Sequence, residues 1–159
     1  MQRLTTLRGL EKQREEIRTL ERKVQEIEIN MGEVTTQSSE TWHDNAPYSV
    51  LVENLRIASI RLNESHDILN SCRIQAYPTI LHEEMVVYGT RVKFRVDGKL
   101  DEFCLVGYGE SDMDNGLILH DCPLAKLLIG RMKGETFEGT INGTNRTYSV
   151  DEVALFRQL

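Results

Sequence analysis

The chain of 159 residues is long enough for one ordinary domain or two small ones; 40% of its residues are hydrophobic and 28% are charged. Its formal net charge of −6 argues against a general basic surface that coats duplex nucleic acid. It has no run of 18 apolar residues and no apolar N-terminal core of signal-peptide length, so we expect a cytoplasmic protein with no membrane contact. The three cysteines lack the spacing of a zinc site or a disulfide framework.

The first half carries two series of apolar residues with helical spacing. Over residues 7–34 they recur at intervals of three, four and seven, with a polar gap near Gln13, and a second series covers residues 48–72. Neither helix can bury its apolar seam alone, and the link between them is short. The sequence therefore predicts an antiparallel coiled-coil hairpin as a first domain, residues 1–78, with its tip at about 35–47.

The second half changes to the period of strands. The segment "VVYGTRVKFRVDGKLDEFCLVGYG" predicts strands joined at Asp97-Gly98, and a closing hairpin is predicted around residues 142–146. "PLAKLLIG" predicts a short helix that begins near Pro123. The predicted fold class is therefore α+β, with a small antiparallel sheet domain carrying one helix over residues 79–159. "YPT", which contains Pro78, is predicted to end the second long helix and to mark the domain boundary.

An independent enzyme site is not predicted. The sequence has no nucleophile elbow, phosphate loop, dinucleotide fingerprint or HExxH segment, and its four histidines are scattered. The unusual stretch is "ETWHDNAPYS" at the hairpin tip, which contains Glu40 and Asp44. Carboxylates are hard oxygen ligands, so a tip acid could complete a Mg²⁺ site inside another protein. Alternatively Asp44 caps the second helix and Glu40 is solvated, which the residues taken alone favour.

Several stretches resemble the GreA/GreB family of transcript-cleavage factors. "GLILHDCPLAKLLIGRMKGE" resembles that family's Gly-Leu-Ile … Ser-Pro-Leu-Ala … Leu-Ile-Gly-Lys … Gly-Asp signature, and "VVYGTRVKF" resembles its opening strand. "DNAPY" stands where the family commonly has Glu-Asn-Ala-Glu-Tyr, so that Asp44, Asn45, Ala46 and Tyr48 match in type or identity. The resemblance covers nearly the whole chain and implies that the second domain is FKBP-like.

The resemblance also implies a partner and a function. Its second domain would dock at the secondary channel of bacterial RNA polymerase, and the coiled coil would enter that channel. Two tip acids would help to hold Mg²⁺ in the polymerase active site, where the polymerase itself cleaves backtracked RNA. The protein would then be an accessory factor rather than an enzyme, with no cofactor of its own, and a monomer when free.

The tip departs from the family pattern. The second acid falls on Asp44, but the first falls on Thr41, an uncharged and poor Mg²⁺ ligand, with Glu40 next to it as a substitute. Two functions follow as alternatives: a factor that stimulates cleavage, or a secondary-channel regulator that inhibits or modulates polymerase without stimulating cleavage. Trp42 and His43 also make the tip unusual, and Trp42 either wedges against polymerase or packs over the hairpin end.

The second domain offers a candidate docking edge. Asp121 and Pro123, with the adjoining Leu124, fall on family positions implicated in polymerase docking; alternatively Asp121 caps the short helix and Pro123 begins it. Basic residues of the first helix could touch displaced RNA, or form a solvated face with the acids between them. They are Arg8, Lys12, Arg14, Arg18, Arg22 and Lys23. A coiled-coil adaptor or a prolyl isomerase remains a third alternative, although the domain has few aromatic residues and no clear proline pocket.

Overall fold

The structure, a computed structural model, describes residues 2–37, 46–81 and 83–157. It confirms the predicted α+β class, with two long N-terminal helices followed by a mostly antiparallel sheet and one short helix. In chain order the elements are β1 (Leu4–Thr5), α1 (Leu7–Gln37), α2 (Ala46–Ser71), β2 (Arg73–Ile74), β3 (Thr90–Val96), β4 (Lys99–Val106), a 3-10 turn (Met113–Asn115), β5 (Leu117–Leu119), α3 (Pro123–Leu128), β6 (Thr136–Ile141) and β7 (Thr144–Leu155).

The chain forms two compact units. The helical unit is Lys12–Ser71, and the sheet unit combines Met1–Glu11 with Cys72–Leu159. This division differs from the predicted domains 1–78 and 79–159 at both ends of the hairpin. The reason is that β1 pairs in parallel with β2, so the first residues of the chain are built into the sheet unit.

The two helices of the helical unit run antiparallel, with their apolar series facing each other. Ile17 and Ile27 of α1 and Ala58 of α2 are buried, and so is Gln13 in the polar gap of the first series. The helices also meet at their edges, where Glu21 Oε1 lies 3.8 Å from His66 Nε2. At 1.5 Å per residue the 31 residues of α1 extend for about 46 Å.

The predicted end of the second helix is wrong by several residues. α2 ends at Ser71, before the Tyr77-Pro78 segment that was expected to end it. The backbone N–H groups of Arg73 and Gln75 donate to Arg3 O and Thr5 O, at 2.9 and 2.8 Å. Since these donors serve the pair with β1, they cannot continue the hydrogen-bond ladder of the helix.

The main sheet has the strand order β5-β4-β3-β7-β6. The neighbours β3–β4, β3–β7 and β6–β7 are antiparallel, as predicted, but β4 and β5 are parallel. Both predicted hairpin turns are present as two-residue loops. Asp97 and Gly98 have φ of 51° and 84°, and Asn142 and Gly143 have φ of 51° and 79°. Two consecutive residues with positive φ fit the right-handed twist of the flanking strands, and for that reason Asx-Gly sequences are favoured there.

The core lies between one face of this sheet and α3. Along β3 the inward Val92 and Phe94 are fully buried, while the alternate side chains face outward. Ala125 and Leu128 of α3 cover the same core. The register of β3 and β7 shifts by one residue between Lys93 and Phe94, which leaves residue 151 of β7 as a bulge. The predicted docking residues lie beside this core, with Asp121 between β5 and α3 and with Pro123 and Leu124 in the first turn of α3.

Candidate functional site

The segment that leads into α3 is held by its own backbone and by one thiol. Cys122 N donates to Leu119 O at 3.0 Å, and Lys126 N donates to Cys122 O at 3.0 Å. Cys122 is the N-cap residue of α3: its Sγ accepts from Ala125 N at 3.4 Å. The interpretation of Asp121 as the helix cap is therefore wrong, because the next residue fills that position. Pro123 is the first residue of α3, as predicted.

Asp121 uses its carboxylate differently, as the acceptor of a tyrosine hydroxyl. Tyr108 Oη donates to Asp121 Oδ2 at 2.6 Å, a short bond of the kind expected when the acceptor is ionised. Both side chains are half-buried. Pro123 is exposed next to them, and Leu124 is half-buried against the core. The structure thus brings the three predicted docking residues to one edge and adds Tyr108 to them.

Tyr108 is held in turn by the first residues of the chain. Its backbone N–H donates to Leu4 O at 3.0 Å, and its carbonyl accepts from Thr5 Oγ1 at 2.7 Å. The guanidinium of Arg3 lies 5.9 Å from the centre of the Tyr108 ring, within the range of a cation–π contact. Tyr108 is therefore anchored on both sides of its backbone and on its ring.

The approach between these segments depends on a glycine. A Cβ placed on Gly9 would lie 2.5 Å from both Thr5 Oγ1 and Tyr108 O, closer than real Cβ contacts allow. Glycine here lets the first turn of α1 lie directly against the backbone of Tyr108. Sequence reasoning did not single out Gly9 or Tyr108. The only available signal was a tyrosine between two glycines, "GYG", directly after a strand.

A second tyrosine–carboxylate pair lies inside the same unit. Tyr77 Oη donates to Glu110 Oε2 at 2.7 Å and accepts from Gly107 N at 3.2 Å. Glu110 is only 3% exposed, so this pair faces the interior. His120 of this unit is fully buried, with its ring edge-on to those of Tyr88 and Tyr108.

The surroundings of Tyr77 and Tyr108 raise the pKa of both hydroxyls. Burial, with the hydrogen bond to Asp121 as the next cause, raises the pKa of Tyr108 to about 12. Burial and the hydrogen bond to Glu110 raise the pKa of Tyr77 further. Both hydroxyls therefore stay protonated and act as donors to their carboxylates well above neutral pH.

The predicted tip residues lie outside the described part of the chain. They are Glu40, Thr41, Trp42, His43, Asp44 and Asn45. Only Tyr48 of that set is described: it is half-buried in the first turns of α2. The roles assigned to the tip therefore stay predictions. Among residues 2–37, 46–81 and 83–157, no three His, Cys, Asp or Glu side chains form a group that could hold a metal ion.

The basic side chains predicted on the first helix are all exposed. Arg18 and Arg22 share one acid, since their guanidinium nitrogens lie 3.1 and 3.8 Å from the Glu15 carboxylate. This arrangement is typical of a solvated helix face, and such exposed pairs contribute little to stability. In the described part of the chain, no helix combines the length and apolarity needed to cross a membrane.

Comparison with known proteins gives the family. The family model described as "Transcription elongation factor, GreA/GreB, C-term" matches residues 81–155. The chain is also 32% identical over 154 residues to transcription elongation factor GreA of Wolinella succinogenes, an alignment that covers 93% of this chain and 91% of that protein. The chain belongs to the GreA/GreB family of transcription elongation factors.

Further members of this family align over similar lengths. Transcription elongation factor GreA of a Sulfurovum strain is 28% identical over 153 residues, with 93% of this chain and 90% of that protein covered. Among solved structures, the GreA factor homolog 1 protein of Thermus thermophilus aligns over 97% of this chain and 99% of its own, with 18% identity and a TM-score of 0.46. The matched segment 81–155 contains Tyr108, Asp121 and Pro123, so the candidate edge lies within the part common to the family.

Proposed function

We propose that this protein binds bacterial RNA polymerase at its secondary channel and stimulates cleavage of backtracked RNA by the polymerase itself. Its membership of a transcription elongation factor family supports this proposal. So does the edge formed by Asp121, Pro123 and Leu124, whose polar and apolar groups are partly exposed and rigidly held. The observation that carries the docking step is the Asp121 carboxylate, fixed at a half-buried position instead of capping α3.

The two units have separate tasks in this proposal. The sheet unit binds the rim of the channel through the edge at α3. The helical hairpin supplies the reach: α1 alone extends for about 46 Å. Cleavage itself takes place in the active site of the polymerase, so the protein is an accessory factor and not an enzyme.

The tip contributes carboxylates in this proposal. Asp44, with Glu40 as its partner in place of Thr41, would hold a Mg²⁺ ion shared with polymerase. Both are hard oxygen donors that suit this ion, and a metal held there would supply a water of lowered pKa for attack on a phosphodiester. In this proposal Asp44 and Glu40 are the two ligands from this protein, so polymerase and water must supply the remaining ligands of the Mg²⁺ ion. Displaced RNA would pass near the exposed basic residues of α1.

The test is transcript cleavage in stalled, backtracked elongation complexes at fixed Mg²⁺. The wild-type protein is expected to accelerate cleavage, and Asp44→Asn to abolish the acceleration while leaving binding to polymerase unchanged, because only the metal-ligating charge is lost. Glu40→Gln is the matched second variant and tests whether this acid replaces the one missing at Thr41. Unchanged acceleration by Asp44→Asn would overturn the role of the tip.

The same edge and the altered tip also support a second function, that of a regulator. Thr41 stands where the family pattern has its first acid, so the protein is alternatively a secondary-channel regulator that binds without stimulating cleavage. In that case the wild-type protein produces no acceleration but competes with an active cleavage factor, and Asp121→Ala removes the competition. The cleavage and competition assays together distinguish the two functions.

A further inference from the structure

We propose that Tyr108 is a positioning residue that sets the orientation of the Asp121 carboxylate for docking. This inference rests on the proposed binding to polymerase, and it assigns a role to a residue outside the predicted docking set. Its basis is the 2.6 Å hydrogen bond from Tyr108 Oη to Asp121 Oδ2 at a half-buried edge.

The hydrogen bond holds one oxygen of the Asp121 carboxylate, Oδ2, on the Tyr108 hydroxyl. Rotation of this side chain is therefore restricted before any partner binds. A donor group of RNA polymerase would then meet a carboxylate whose orientation is already set. Restricting a side chain before binding lowers the entropy cost of the complex. A free aspartate at this edge would have to lose that freedom on docking.

The phenol is itself rigidly held, which is necessary if it is to orient another group. Leu4 O and Thr5 Oγ1 bind the two polar groups of the Tyr108 backbone, and Arg3 lies over the ring. Thr5 is fully buried, so a partner protein cannot touch it. The first residues of the chain thus hold the Tyr108 hydroxyl in position, and this hydroxyl in turn orients the Asp121 carboxylate.

The pair of Tyr77 and Glu110 provides a control that distinguishes an effect on docking from an effect on stability. Tyr77 donates to Glu110 with nearly the same geometry, at 2.7 Å, but Glu110 is only 3% exposed. Loss of that hydroxyl can weaken the fold without changing a docking surface. Tyr77→Phe is therefore the structural control for Tyr108→Phe.

The experiment is displacement of labelled wild-type protein from RNA polymerase by unlabelled variants, with each variant's folding checked by circular dichroism. Tyr108→Phe is expected to raise the half-displacement concentration by roughly 3- to 10-fold, the range for one lost hydrogen bond. Asp121→Asn is expected to raise it at least as much. The double variant should be no weaker than Asp121→Asn alone, because the phenol acts through that carboxylate. Tyr77→Phe should stay within twofold of wild type.

A second variant keeps the test decisive if Tyr108→Phe is poorly folded. Thr5→Val removes the hydroxyl that holds Tyr108 O while preserving side-chain volume, and it is expected to weaken displacement in the same direction. Failure of the wild-type protein to displace itself from polymerase would overturn the proposed function together with this inference. Wild-type displacement that Asp121→Asn weakens but Tyr108→Phe does not would overturn only the role of Tyr108. So would an additional loss from Tyr108→Phe in the Asp121→Asn background.

Discussion

Two tyrosines of the sheet unit donate hydrogen bonds to carboxylates, but their surroundings differ. Tyr77 and Glu110 form an interior pair, whereas Tyr108 and Asp121 meet at a half-buried edge. Glu110 is only 3% exposed, so water cannot easily replace the donor that the Tyr77 hydroxyl supplies, and this hydrogen bond supports the fold. Asp121 would remain partly hydrated without Tyr108. The pair of Tyr108 and Asp121 is therefore better explained as a surface for docking than as a contribution to the stability of the fold.

The same pairs predict how stability depends on alkaline pH. The pKa of Tyr108 is raised to about 12 in the folded state, chiefly by burial, against an ordinary value of about 10. Between these values the unfolded chain loses a proton that the folded chain keeps. This contribution to stability is therefore complete below pH 10 and is lost as the pH rises toward 12.

Urea unfolding at pH 9 and pH 11 measures this effect. Wild-type protein should lose free energy of unfolding over this interval, and Tyr108→Phe should lose less because it has one proton fewer to exchange. Tyr77→Phe is expected to reduce the loss as well, since burial raises the pKa of Tyr77 in the same direction. Equal losses in all three proteins would contradict the assignment.

At the scale of elements, the hairpin turns show how strongly a backbone conformation can be specified by sequence. Asp97-Gly98 and Asn142-Gly143 each place two residues in the left-handed region, where glycine is favoured over residues with a Cβ. Gly98 has nothing within 4 Å of the position that a Cβ would take. A substitution there therefore changes only the backbone energy.

We expect alanine to have opposite effects at two open glycines. Gly98→Ala should lower the free energy of unfolding by about 1 kcal/mol, because φ is 84°. Gly32 lies within α1, also with nothing within 4 Å, and Gly32→Ala should raise helix stability by about 0.5–1 kcal/mol. Chemical denaturation followed by tyrosine signals for the first and helical circular dichroism for the second measures both. The same sign at the two positions would be inconsistent with this account.

These turns were predictable from sequence, as was the short helix, because each depends on a few neighbouring residues. Asx-Gly pairs between apolar runs identify the turns, and Pro123 marks the start of α3. The early end of α2 was not predictable. It depends on the pairing of Leu4 with Arg73, two strands of two residues each, which leaves no periodic pattern to recognise. The hydrogen bond from Tyr108 to Asp121 was not predictable either, because it depends on how distant segments of the chain pack together and leaves no pattern in the sequence.

At the scale of the whole molecule, the first eleven residues complete the sheet unit. Leu4 and Thr5 pair with β2 and also bind the backbone of Tyr108, which lies far along the chain. A sheet domain defined as residues 79–159 would lack both of these partners. The predicted domain boundary is a reasonable division of the elements but omits part of the packing.

We therefore expect removal of residues 1–6 to destabilise the sheet unit. Five of the hydrogen bonds that would be lost join this segment to residues 72–159: those between Gln2 O and His120 Nε2, Arg3 O and Arg73 N, Leu4 O and Tyr108 N, Thr5 O and Gln75 N, and Thr5 Oγ1 and Tyr108 O. At about 0.5–1.5 kcal/mol each, the loss is about 2.5–7.5 kcal/mol, measured by urea denaturation. Thr5→Val, which removes only one of the bonds, should lose correspondingly less. An unchanged unfolding midpoint in the shortened protein would show that this segment does not support the sheet.

The distance along the chain between β1 and its partners has a consequence for synthesis. Thr5 and Tyr108 are separated by 103 positions. At about 5–20 residues per second, a ribosome needs roughly 5–20 s to make the intervening chain. During that time the helices can already form, since their contacts are local. The first strand is made at the start, but its hydrogen bonds to Tyr108 can form only after that residue has been made. A tag or fusion partner placed before β1 would therefore be joined, for that time, to a strand whose contacts are incomplete.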